Sequence, residues 1–206
     1  MNEIRQAKPE DAEALYAICL KTGDAGEDAT HLYSEPRLIG HIYAGPYLAC
    51  APELAFVAER DGMVVGYCVG AADSRAFAVT LERDWWPALR ETYPKPDPAR
   101  QDDWTADERR CQMIHDREPT PDAVVSRYPA HLHMNLLPAA QGQGLGGQLL
   151  ERWVHAATAL GVTGAHVGAS AGNARGIRFW QKQGFEKIAT PGARAVWMGR
   201  RLQDQP

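Results

Sequence analysis

The run Gln141-Gly142-Gln143-Gly144-Leu145-Gly146-Gly147 has the residue types and spacing to do chemistry. Glycines at a turn into a helix leave main-chain N–H groups unpaired and aimed at one small volume. They also let a ligand approach the backbone closely, while the helix dipole adds partial positive charge. Such a turn is a cradle for a pyrophosphate, and three spacings compete for it. Gly142, Gly144 and Gly147 satisfy G-x-G-x-x-G, the dinucleotide fingerprint, which calls for an acidic residue about 20 positions on to hold a ribose. No Asp or Glu stands between Glu151 and Glu186, and the loop comes late in the chain, so an NAD site is disfavoured. A P-loop requires Gly-Lys-Ser/Thr, which the run lacks. The third spacing, Gln/Arg-x-x-Gly-x-Gly/Ala, is met by Gln141, Gly144 and Gly146.

The elements on either side must position this turn. His131 to Leu137 is apolar enough for a buried strand, and Gln148 to Leu160 reads as a helix. Leu149, Leu150, Trp153, Val154, Ala157 and Leu160 fall on one face of that helix. Upstream, Glu3 to Ala7 is a candidate strand. Pro9-Glu10-Asp11 opens a helix with Ala14, Leu15, Ile18 and Cys19 inward, capped near Gly23. The segment 31–47 carries His31, Tyr33, His41, Tyr43 and Tyr47, side chains able to line a substrate mouth, with a short helix through Leu38, Ile39 and Ile42. Ala55 to Arg60 and Val64 to Ala71 form a hairpin about Asp61-Gly62. Residues 73–129 break the alternation. They hold Trp85, Trp86, Tyr93, Trp104 and the prolines Pro94, Pro96 and Pro98, and are expected to form an inserted helical subdomain with its own aromatic core. Thr105-Ala106-Asp107-Glu108 has capping-box spacing and starts a helix to about His115. Gly164 to Ser170 is a further strand. Asn173 caps a helix from Ala174 to Gln183 that Gly184 ends, Ala195 to Leu202 is a last strand, and the tail from Gln203 is expected to fray.

Composition narrows the classes. A chain of 206 residues with 45% hydrophobic and 23% charged residues suits a single globular domain with an elaboration. A formal charge of -4 provides no basic footprint, so nucleic acid is not an expected partner. No apolar run reaches membrane-spanning length, and charged residues follow Met1 at once, so neither a membrane nor a signal peptide is expected. Cys19, Cys50, Cys68 and Cys111 lie far apart with no C-x-x-C pair. They fit reduced thiols of a cytoplasmic protein and no metal site.

The glycine run, Asn173 and Phe179-Trp180-Gln181-Lys182-Gln183-Gly184-Phe185 together resemble the GNAT N-acyltransferase superfamily. That resemblance implies an α/β (α+β) fold with a central mixed, twisted sheet flanked by helices. It covers residues 1–206 as one GNAT domain with the insertion at about 73–129, and it implies acetyl-CoA as cosubstrate. In such folds the strand before the glycine loop and the strand after the helix splay apart to admit the pantetheine arm. By resemblance, Met134, Leu136 and Leu137 supply main-chain contacts to that arm, and Gln141, Gly142, Gln143, Gly144, Leu145, Gly146 and Gly147 hold the pyrophosphate. Asn173 would hydrogen-bond the pantetheine, with Phe179 and Trp180 near the cofactor. Gly66-Tyr67, Asp73, Tyr93-Pro94-Lys95-Pro96 and His131-Leu132-His133-Met134-Asn135-Leu136-Leu137-Pro138 narrow the similarity to the acetyltransferase-like domain of bifunctional O-GlcNAcase and its free-standing bacterial relatives.

Acetyl transfer from a thioester to an amine needs a neutral amine, a donor facing the carbonyl oxygen and, least stringently, a proton for the leaving thiolate. A main-chain N–H near Leu136 or Leu137 is the expected carbonyl donor. The superfamily's usual acid is a tyrosine, and its position is occupied here by Trp180, whose indole N–H donates without being an acid. The related domain carries an acid where this chain has Asn135. His133, two residues back on the same strand face, is the expected proton handler, with His166, Asp73 and the tyrosines of 31–47 as substitutes. Two functions follow: an acetyl-CoA-dependent N-acetyltransferase acting on a small-molecule or protein amine, and a non-catalytic acetyl-CoA-binding regulatory module. Either is compatible with a monomer or a homodimer. The net negative charge favours cationic acceptors.

Overall fold

The structure, a computed structural model, describes residues 2–190 and 195–202. In chain order the elements are β1 (Asn2–Gln6), α1 (Ala12–Lys21), α2 (Leu38–Tyr43), α3 (Gly45–Cys50), β2 (Ala55–Arg60) and β3 (Met63–Ala71). There follow α4 (Ser74–Asp84), α5 (Trp86–Thr92), α6 (Ala106–His115) and α7 (Asp122–Val125). The last group is β4 (Ala130–Leu136), α8 (Leu145–Ala159), β5 (Gly164–Ser170), α9 (Ala174–Lys182), β6 (Glu186–Lys187) and β7 (Ala195–Arg201). The tail from Gln203 lies outside the described residues.

The strands make one seven-stranded sheet in the order β1-β2-β3-β4-β5-β7-β6. Every pairing is antiparallel except β4 with β5. Local chemistry sets the register. Asp61 and Gly62 both have positive φ (51° and 79°), the two-residue turn whose twist suits a hairpin, and it joins β2 to β3. The central strand β3 is buried from Gly66 through Ala71, because helices cover both faces of the sheet.

Two apolar layers result. On one face Val57, Tyr67 and Val69 pack with Leu15 and Ile18 of α1, Ile42 of α2 and Tyr47 of α3. On the other, Phe56, Cys68 and Leu132 pack with Leu145, Leu149, Leu150 and Trp153 of α8 and with Trp180 of α9. Full burial of one such large apolar side chain contributes about 1.5–3 kcal/mol. Gly70 is what lets α8 seat: a Cβ there would stand 2.8 Å from Trp153 Nε1.

Three expectations need correction. The apolar residues of 73–129 do not form a core of their own: the aromatic Phe77 and Trp86, with Leu81 and Ile114, join the cluster that holds α1, α3 and β3. The helix after the glycine run starts at Leu145, not Gln148, because Gly144 takes up the left-handed conformation (φ 81°) and the chain turns helical at once. Gly23 is not a left-handed cap. Its lack of a side chain matters because a Cβ would stand 3.0 Å from the Cys19 carbonyl oxygen. Among the described residues no helix is long and apolar enough to cross a membrane.

Candidate active site

β4 and β5 pair only at Ala130↔Ala165 and His131↔His166, whereas β4 pairs with β3 along its length, His131↔Ala71 to Leu136↔Gly66. The Leu137 N–H extends that ladder, donating to the Val65 carbonyl at 2.9 Å. Antiparallel alternation then turns the main chain of residues 133, 135 and 137 toward β3 and that of Leu132, Met134 and Leu136 toward β5. Beyond His131 the two strands part, and Met134 faces the gap with its N–H and C=O outside any ladder. Leu137, expected among the main-chain contacts and as a carbonyl donor, has its N–H committed to β3; Met134 and Leu136 do not.

A cleft of about 260 Å³ opens where the strands part. Residues 132–135 of β4 and 167–170 of β5 form its walls, with Asn173 and Trp180 of α9 at one side and Thr22, Tyr43 and Arg110 at the other. The glycine turn lies at the end of β4. Gly142 and Gly144 have positive φ (73° and 81°), and no side chain caps α8. Gln141 Nε2 donates to the Leu136 carbonyl (2.8 Å), and Gln143 Nε2 to the Ala139 carbonyl (2.8 Å). Arg60 Nη2 donates to Gln143 Oε1 (2.6 Å). Both glutamine side chains therefore brace the turn, and what it offers a ligand is main chain. Phe179 closes over the first turn of α8; a Cβ on Gly146 would stand 3.2 Å from its Cε2.

Side chains at 131, 133 and 135 all point to the α1–α6 face, and each has a different task. Ser74 Oγ donates to the Pro129 carbonyl (2.7 Å), so its oxygen accepts from His131 Nδ1 (2.7 Å). His131 Nε2 is then left to accept from Tyr47 Oη (2.9 Å). This chain holds His131 neutral, and burial depresses its pKa well below the usual range. His133 is half-buried on the cleft between Tyr43 and Tyr47, with ring centroids 5.5 and 5.4 Å away. Burial, then the Arg117 charge, pushes its pKa down to about 3. A group with so acidic a conjugate acid is a weak base at neutral pH, which weighs against the proton-handling role expected of it. Thr22 Oγ1 donates to the Ile18 carbonyl (2.7 Å), so it accepts from Asn135 Nδ2 (2.6 Å), and Asn135 Oδ1 remains.

Of the remaining expected residues, Asn173 lines the cleft and its Oδ1 accepts from the Gly176 N–H (2.7 Å), capping α9 and leaving Nδ2. Trp180 lines the cleft, edge-on to Phe179 and Phe185 at 5.0 and 5.1 Å. Asp73 does not join them: it caps α4, accepting from the Arg75 and Ala76 N–H groups at 2.8 and 2.9 Å. His166 is structural too, its Nδ1 donating to the Tyr128 carbonyl (2.7 Å), with burial lowering its pKa. Cys19 lines the cleft as a thiol, pushed up to about 11 by burial. Sequence reasoning missed Thr22, Ser74 and Arg110. Each is a single polar residue in a stretch with no motif, brought to the site by packing of distant elements.

A family model described as an acetyltransferase (GNAT) domain matches residues 109–187, which hold the parted strands and the glycine turn. The crystal structure of SsHAT superposes with a TM-score of 0.91 and 35% identity, covering 98% of this chain and 99% of that one. The chain belongs to the GNAT acetyltransferase superfamily, a class of acyltransferases. Within it, the chain is similar to protein O-GlcNAcase of Rattus norvegicus, 24% identical over 186 residues that make up 90% of this chain and 20% of the relative. It thus spans about a fifth of the length of the curated relatives it matches. The structure of yncA from Salmonella typhimurium with acetyl-CoA shares the fold, at TM-score 0.55 and 19% identity, over 99% of this chain and 95% of that one.

Proposed function

We propose that the protein transfers an acetyl group from acetyl-CoA to an amine by direct attack in a ternary complex. The observation that carries this is the parting of β4 and β5 after two paired positions, which leaves Met134 main-chain groups facing a cleft. Met134 and Leu136 would hold the pantetheine amides as an added strand, and the amides at the start of α8 would hold the diphosphate. Acetyl-CoA supplies the activated acyl group; the amine nitrogen forms the new C–N bond as the C–S bond breaks. One amine proton leaves to water, and coenzyme A departs as the thiolate, which takes its proton from solvent. Leu136 N–H is the main-chain donor best placed by the register for the carbonyl oxygen. With His133 held neutral, the acceptor must enter as the free amine, its proton having gone to water. The free thiols Cys19, Cys50, Cys68 and Cys111 suit a cytoplasmic setting.

A second reading, an acetyl-CoA-binding module without turnover, draws support from Trp180 standing where an acid is expected and from the depressed pKa of His133. Gly147 separates both from a non-binder. A Cβ there would meet nothing nearer than Gln183 Nε2 at 4.0 Å, so a side chain fits. Gly147→Glu adds a carboxylate to the first turn of α8, where it favours the helix but repels a diphosphate. The expected result is an unchanged or higher Tm with acetyl-CoA affinity reduced by about tenfold or more in calorimetry. Equal affinity in both proteins would remove the cradle. Thiol release with a panel of amines then distinguishes an enzyme from a module.

A further inference from the structure

Arg110 is a cation that no carboxylate among the described residues answers. Among the described residues Arg5, Arg37, Arg75, Arg83, Arg90, Arg100 and Arg175 each meet an Asp or Glu within 4.0 Å. Arg110 does not, nor do Arg60, Arg109, Arg117, Arg127, Arg152, Arg178, Arg200 and Arg201, but of these Arg110 is the one that lines the cleft. The acids on its own helix are taken. Asp107 accepts from Ser34 N–H (2.9 Å), Ser34 Oγ (2.7 Å) and Glu35 N–H (3.2 Å). Glu108 accepts from the Thr105 N–H (2.8 Å) and meets Arg100 at 3.4 Å. Arg110 Nε is buried with no hydrogen-bond partner, Nη1 reaches Met113 Sδ at 3.6 Å, and the guanidinium also interacts with the Tyr33 side chain, a neutral group. The rings of Tyr33 and Tyr43 lie 6.0 and 5.8 Å from the guanidinium carbon and supply no formal charge.

Among the described residues that line the cleft, this guanidinium is also the one charged side chain. It arrives from α6, with Thr22 and Tyr43, on the sheet face opposite α8. An anion held there is therefore distinct from a diphosphate at the start of α8. A half-buried guanidinium with idle donors is unfavourable unless something pairs with it. Its planar fork matches a carboxylate in a way a lone ammonium does not. We infer that the acceptor is a carboxylate-bearing amine, whose carboxylate is held by Arg110 while its amino group faces the parted strands. This rests on the acetyl-transfer reading. It reverses the cationic acceptor that the net charge of -4 suggests, because a cleft is governed by its own lining.

The test uses the full chain, acetyl-CoA and three matched pairs that vary the reach from amine to carboxylate: glycine, β-alanine and 4-aminobutyrate, each beside its carboxamide. Thiol release is measured for the wild type, Arg110→Gln and Arg110→Lys, with acetyl-CoA affinity and Tm alongside. At least one acid should be preferred to its amide by about tenfold or more in kcat/KM. That preference should fall to within about twofold in Arg110→Gln and be partly kept in Arg110→Lys, with acetyl-CoA affinity unchanged. Equal use of acid and amide by the wild type in every pair overturns the inference. So does an Arg110→Gln variant that loses both members of a pair alike, which marks Arg110 as structural. If no amine draws thiol while acetyl-CoA binds, the transfer reading fails. The same acids are then titrated calorimetrically into coenzyme A-loaded protein: Arg110-dependent heat upholds the carboxylate site, and its absence removes it.

Discussion

His133 and Asn135 are two residues apart on one face of β4, and their surroundings set their chemistry. Asn135 spends its amide N–H on Thr22, while His133 keeps its nitrogens for the cleft but loses its basicity to burial and to Arg117. The pH consequence has a definite sign. Below pH 6.5, its ordinary pKa, the unfolded chain binds a proton at His133; the folded chain declines it down to about 3. Stability is therefore complete above pH 6.5 and is lost as pH falls through that window, by at most about 1.4 kcal/mol per pH unit for each such group. His131, His166 and His41 are depressed in the same direction. His133→Gln should flatten this acid limb in urea-unfolding midpoints measured between pH 4.5 and 7.5. It should also leave the shape of the rate–pH profile between pH 6 and 9 unaltered. Loss in the variant of an inflection that the wild type shows in that range would restore His133 as a proton carrier.

The elements matter here through their ends. β4 and β5 part because pairing ceases after His131↔His166, and α9 begins at the edge of the resulting cleft, where its cap Asn173 is among the lining residues. α9 is capped by Asn173 Oδ1, which leaves the same side chain's Nδ2 for a ligand. Asn173→Asp retains the cap and removes the donor. Thermal stability should stay within about 0.5 kcal/mol of wild type. Acetyl-CoA affinity should fall by about tenfold, since a carboxylate cannot donate and repels phosphate. Melting and calorimetry on one sample separate the two effects, and a parallel fall in both would make Asn173 a cap alone.

For the whole molecule, residues 73–129 share the apolar layer that carries the catalytic face. Trp86, Phe77, Leu81 and Ile114 pack in one cluster with Leu15, Ile18, Tyr47 and Tyr67. We propose that the insertion folds with the sheet as one domain. Trp86→Ala should then cost about 3–5 kcal/mol in a single cooperative transition followed by both far-ultraviolet ellipticity and tryptophan emission. Two separated transitions would show an independent subdomain. The shared layer also explains how α6, distant in sequence from β4, delivers Arg110 to the cleft.

Local signals in the sequence determined what local physics controls. The Asp61-Gly62 turn, the Thr105–Glu108 capping box, the Asn173 cap and the helix end at Gly184 all need only a few neighbours, and all are found as read. Hydrophobic periods of two and 3.6 placed the strands and helices about the glycine turn, apart from the two-residue β6, the short α3 and the helices α4, α5 and α7. Tertiary structure alone decided which histidine faces the cleft, which carbonyl fixes the His131 tautomer, and that Asp73 is a cap. It also decided that Arg110 meets no carboxylate among the described residues. Ionisation and hydrogen bonding depend on groups that lie far apart along the chain, and no spacing rule encodes the distance between α6 and β4.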